Sequence, residues 1–132
     1  MPSHSASRIQ GRIDYGGLLL VPVEIDGMDF EFLVDTGAAY TAMSERLASL
    51  LNVLTPDPHR LTIAPVHGRT ISVPQVRLPT LRLGGIELTQ VEAVVVSFPS
   101  ILRLHGIIGM NILSRFRMTL ESDTRTLVLR TV

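Results

Sequence analysis

The chain has 132 residues, 45% of them hydrophobic, and its twelve basic residues balance twelve acidic ones. That length suits one domain with its own core, and the absence of cysteine removes a disulfide framework, a thiol nucleophile and a thiolate metal site. Every cation is Arg, which excludes lysine Schiff-base chemistry and a lysine phosphate loop, and their even spread argues against a nucleic-acid surface.

Residues 1–8 are small and polar and read as a flexible tail, followed by one domain over 9–132. MPSHSASRIQ lacks the apolar centre of an export signal, and no window approaches the ~18 apolar residues of a membrane span, so a cytoplasmic protein is expected. LLLVPVEI (18–25) and MDFEFLV (28–34) read as strands joined by Asp26-Gly27, a pair suited to the positive φ angles of a type I′ turn. In the second strand Met28, Phe30, Phe32 and Val34 share one face, and Asp29 and Glu31 the other. Asp35 falls in phase with the polar face, at the strand's C-terminal end.

SERLASLLN changes period. Ser44 as N-cap, Glu45 in the first turn and an apolar stripe of Leu47, Leu50 and Leu51 predict a helix over 45–51. Pro56 and Pro58 place a loop after it. LTIAPVHGRTISV reads as a hairpin with Val66, His67, Gly68 and Arg69 at its tip. VRLPTLRLGGIELTQVEAVVV reads as a second, turning at Gly84-Gly85, with Pro79 marking an edge or a kink in its first arm. GIIGMNILSRF begins as a buried strand and ends as a short helical turn. FRMTLES and TLVLRTV close the chain as two strands with a turn at Ser122-Asp123. About eight short strands and two small helices predict an all-β fold, a barrel or a curled sandwich.

The chemistry concentrates in FLVDTGAAYTAMS (32–44), where a carboxylate leaves a buried strand into a loop of small residues. A bare Asp-Thr-Gly is an ordinary turn. Here an apolar strand precedes it, small residues follow it, and Ile107-Ile108-Gly109 lies downstream. With these features the chain resembles the retropepsin-like aspartic peptidases, in the order FLVDTGA, a helix, a glycine-tipped hairpin and GIIGMNIL, over roughly residues 18–130.

The resemblance implies a retropepsin-like closed or curled β-barrel that acts as a homodimeric endopeptidase. Hydrolysis without a covalent intermediate needs one group to deprotonate water and another to protonate the amide, and two carboxylates sharing a proton supply both. Only one Asp-Thr-Gly occurs, and the other acids sit in unlike settings, so the resemblance implies Asp35 from each of two subunits. It further implies that Gly37 lets the loop approach the dyad and that Thr36 locks the two loops across the axis. Ile107, Ile108 and Gly109 would brace the catalytic loop, and the hairpin tip would be the flap over the substrate. Ala38 lacks the hydroxyl that some relatives carry there, which implies activity at weakly acidic to near-neutral pH. No His spacing suggests a metal, and neither metal nor cofactor is expected; the partners are a peptide or protein substrate and a second copy. The competing readings are a non-catalytic peptide-binding or dimerisation module with this fold, and a structural β-domain in which the motif is only a turn.

Overall fold

The computed structural model describes residues 6–64, 68–99 and 101–132. Among these, the chain forms β1 (Ala6–Gln10), β2 (Arg12–Asp14), β3 (Leu18–Ile25), β4 (Met28–Val34), β5 (Thr41–Ser44), α1 (Glu45–Leu51), β6 (Arg60–Ile63) and β7 (Ile71–Leu83). It continues with β8 (Ile86–Val96), β9 (Gly106–Ile108), α2 (Met110–Leu113), β10 (Phe116–Glu121) and β11 (Thr126–Thr131).

One sheet has the order β2-β3-β4-β9-β5-β8-β7-β6, and a further pairing of β3 with β7 at Glu24 and Arg82 closes its middle six strands into a barrel. Closure removes the open edges that a curled sheet would leave. β4 runs parallel to β9, and β5 parallel to β8, while β9 and β5 are antiparallel. A second sheet, β1-β11-β10, adds Leu127, Leu129 and Ile9 to the same core that Phe32, Met43, Leu78 and Ile108 fill from the barrel.

The hairpin signals translate directly into backbone. Asp26 and Gly27 both take positive φ (53° and 76°), as a type I′ turn requires. Gly84 and Gly85 alone connect β7 to β8. Ser44 caps α1 by accepting the Leu47 N–H at 3.1 Å, and Asn52 ends the helix in the left-handed region.

Two expectations are corrected. β1 begins at Ala6, so residues 6–8 belong to a strand rather than to the tail, because β1 pairs residue by residue with the apolar β11. This pairing lies within one chain, with the N-terminal strand beside the C-terminal one. The second arm of the first predicted hairpin and the first arm of the next are a single strand, β7. β5 had no sequence signal of its own: four residues become a strand because both neighbours offer an edge.

Pro79 interrupts β7 without ending it. The ladder to β8 skips from Leu78–Val91 to Thr80–Thr89, and Gln90, facing the gap, takes φ 51°. On its other flank β7 meets β6 only over residues 71–74 and β3 only at Arg82, so Pro79 withholds a donor where no neighbour needs one.

Candidate active site

β4 is apolar on both faces near its end, and this decides where Asp35 emerges. Phe32 and Val34 enter the main core. Leu33 points the opposite way, into a second cluster with Leu20 and Leu104 against which Ile107 packs. Continuing the alternation puts Asp35 on the Leu33 side. Leu33 is also the cross-strand partner of Ile107 on β9. The carboxylate therefore leaves the sheet beside an apolar wall, half-buried, in a loop whose Thr36, Gly37 and Ala39 are exposed.

The loop is held from both sides by backbone. Asp35 N–H donates to Ile108 O (3.1 Å), and Ala38 N–H to Asp35 O (3.3 Å), closing a turn over Thr36 and Gly37. Gly37 N–H donates to Asp35 Oδ1 at 2.9 Å and fixes the carboxylate's orientation. The first N–H groups of any helix lack intrahelical partners. In α2 two of them find the loop: Met110 N–H donates to Ala38 O (2.8 Å) and Asn111 N–H to Ala39 O (3.1 Å).

Side chains complete the clamp. Asn111 Oδ1 accepts both the N–H and the hydroxyl of Thr41 at 2.8 Å, and its Nδ2 donates to Glu92 O at 2.8 Å. Thr41 Oγ1 in turn accepts the Gly109 N–H at 3.1 Å. Thr41 is fully buried, and no buried side-chain polar atom among the described residues lacks a partner.

Gly109 has extended backbone (φ −99°, ψ −175°), so conformation does not demand glycine there. Proximity does: a Cβ would lie 2.5 Å from the Tyr40 carbonyl oxygen. Gly37 is less crowded. Its φ is not left-handed, and an added Cβ would meet only Asp35 Oδ1, at 3.2 Å. Within one chain nothing else crowds Gly37.

Nearby electrostatics centre on Arg12. Its guanidinium bonds Glu31, on the same face of β4 as Asp35, at 2.6 and 2.8 Å, and Asp14 at 2.6 Å. These hydrogen bonds hold the Glu31 and Asp14 carboxyls below the usual carboxylate range and keep Arg12 charged.

The structure thus gathers Asp35, Thr36, Gly37 and Ala38 with Ile107, Ile108 and Gly109. Of the hairpin tip, Gly68 (φ 72°) and Arg69 are exposed between β6 and β7, while Val66 and His67 lie outside the described residues. His105 is a loop residue packed edge-on to Phe30 at 5.4 Å. It also lines an open groove of about 570 Å³ with Ser44, Arg46, Phe98 and Arg103. That groove opens at the opposite end of β5 and β9 from Asp35 and adds nothing to the carboxylate site. Thr41 and Asn111 had no role in the sequence reading. The available signal was an Asn early in the otherwise apolar MNIL, where an amide commonly serves hydrogen bonds rather than helix formation.

Residues 21–115 match the protein family described as "gag-polyprotein putative aspartyl protease". No curated protein matches the chain significantly. A solved retropepsin-like aspartic protease from Rickettsia conorii is similar in fold, with a TM-score of 0.70 at 20% identity, covering 96% of this chain and 92% of that one. The retroviral protease-like domain of Ddi1 from Leishmania major is similar at a TM-score of 0.60 and 20% identity, over 87% of this chain and 94% of that domain.

Proposed function

The chain belongs to the gag-polyprotein aspartyl protease family, a retropepsin-like group, and from that premise we propose that it is an aspartic endopeptidase completed by homodimerisation. The observation that carries this reading is a rigidly held but solitary carboxylate. Asp35 is fixed by Ile108 and Gly37 and sits half-buried in a loop whose Thr36 and Gly37 are exposed.

A second copy would supply the second Asp35. Two carboxylates about 3 Å apart cannot both ionise, so the pair holds one proton between them. The ionised member takes a proton from a water held between the two. The resulting hydroxide attacks the scissile carbonyl, and the protonated member gives its proton to the amide nitrogen as the C–N bond breaks. Ionisation then belongs to the pair and not to either residue.

In this reading the exposed Thr36 hydroxyl reaches the partner loop, Gly37 leaves room for it, and Ala38 turns the chain back toward α2. Ile107 and Ile108 hold the loop through β9, and Gly109 permits the close approach of Tyr40. Of the expected flap tip, Gly68 and Arg69 lie between β6 and β7, where they would cover an extended peptide. The apolar wall of Leu33 and Ile107 favours apolar side chains beside the scissile bond. One domain from β1 to β11 carries these parts, and cysteine-free composition suits a cytoplasmic setting.

The test is cleavage of a denatured protein substrate from about pH 4 to about pH 7, with wild type and Asp35→Asn compared and mass measured by light scattering. A dimer whose cleavage is lost in the variant is the expected result. A folded dimer that cuts nothing indicates the non-catalytic binding module instead.

A further inference from the structure

The edge of the three-stranded sheet is built differently from the other strand edges. β10 is six residues of regular strand with no Pro or Gly, paired along its whole length with β11 on one side and, among the described residues, with no strand on the other. Natural edges are usually kept short or blunted by Pro, Lys or a bulge, since an open edge is a template for another strand. β2, β6 and β1, the other terminal strands, have three, four and five residues.

The side chains of β10 are arranged symmetrically about Thr119. A second copy laid antiparallel with Thr119 opposite its twin sets Met118 against Leu120 and Arg117 against Glu121, each pair occurring twice. Leu120 is 45% exposed in the single chain and would be covered. Arg117 faces Arg130 across β11, a like-charge pair that weakens a ladder. Among the described salt bridges, neither Arg is paired with an acid. Glu121, which already bonds Arg8 at 2.5 Å, would meet this uncompensated charge from the other copy.

We propose that the β10 edge is the surface on which a second copy of this chain docks, joining two three-stranded sheets into one of six strands. This rests on the homodimer reading above and names its partner surface. Because β1 and β11 pair inside one chain, the copies add edge to edge and exchange no terminal segment. α2 is the link between Gly109, beside the Asp35 loop, and β10. The docking edge therefore begins just after the helix that holds that loop.

A chain without cysteine allows a direct test. Directly opposed residues of an antiparallel pair have Cα atoms about 4.5 to 5.5 Å apart, within disulfide range. Thr119→Cys under mild oxidation is expected to give a covalent dimer that reductant reverses, while Leu50→Cys, exposed on α1, gives none. Arg117→Glu and Glu121→Arg are each expected to raise the dimer dissociation constant about tenfold, since two exposed pairs turn repulsive. The double swap restores it. Arg117→Glu leaves thermal stability of the subunit unchanged or higher, because the clash with Arg130 is relieved. A dimer in light scattering that neither crosslinks at residue 119 nor responds to the reversals overturns this surface and leaves the two-carboxylate site standing. A monomer that still cleaves in an Asp35-dependent way overturns the homodimer reading itself, and this surface with it.

Discussion

Thr41 and Asn111, separated by seventy residues, are joined twice: one carboxamide oxygen accepts both the N–H and the hydroxyl of Thr41 at 2.8 Å. With the Asn111 bond to Glu92 O, this pair ties β5 and β8 to the start of α2 and encloses the loop that carries Asp35. Asn111→Ala strands the buried Thr41 hydroxyl and N–H and one carbonyl. It is expected to destabilise the fold by about 2 to 4 kcal/mol, measured by urea unfolding. Thr41→Val costs less, about 1 to 3 kcal/mol, and the double mutant shows a coupling above about 0.5 kcal/mol. Additive losses would mean that the two residues do not act together.

Gly109 and Gly37 predict opposite kinds of defect. Gly109→Ala puts a methyl 2.5 Å from the Tyr40 carbonyl and must move the loop, so thermal stability and cleavage fall together. Gly37→Ala meets only a carboxylate oxygen at 3.2 Å, so the subunit should melt within a few degrees of wild type while cleavage is lost. A strongly destabilised Gly37→Ala would place that glycine's role inside the subunit.

The Arg12 cluster sets a pH dependence of stability. Glu31 and Asp14 have folded pKa values below their unfolded ones, because Arg12 hydrogen-bonds their ionised forms. Their contribution is fully present above the unfolded carboxylate pKa of about 4 and is lost as pH falls through the lower folded values. The stability gap between wild type and Arg12→Ala, small because the groups are exposed, should be open at neutral pH and close on acidification. A gap that widens on acidification would contradict the assignment.

Ile107 is half-buried on the Leu33 side of the sheet and belongs to the apolar wall rather than the main core. Ile107→Thr should lower kcat/KM for apolar side chains next to the cut by about tenfold, the scale of one or two buried methylenes, with little change in Tm. Profiling cleavage sites in a denatured proteome measures this. An unchanged profile would place the wall outside the substrate path.

Local signals carried most of the architecture. Asp26-Gly27, Gly84-Gly85 and the Ser44 cap fixed two hairpins and a helix because each meets a backbone demand within a few residues. β1 and β5 were not legible, since each is a strand only by virtue of partners far along the chain. At the site, DTGA and IIG stand out only together, through the resemblance that their order carries. The Thr41–Asn111 clamp did not, because a buried hydroxyl and a distant amide have no periodicity to betray them. Gly109 is expected to brace the loop, and its surroundings show what glycine provides there: steric room for Tyr40, with no need for positive φ.

The claim that one chain holds half a site is tested most directly by mixing. A fixed amount of wild type is titrated with Asp35→Asn, which keeps the fold and the docking edge, and cleavage is followed after re-equilibration. If each site needs Asp35 from two copies, cleavage falls toward zero as mixed dimers, each with one carboxylate, displace the active ones. Cleavage that stays constant at large excess of the variant would show that each chain carries a complete site.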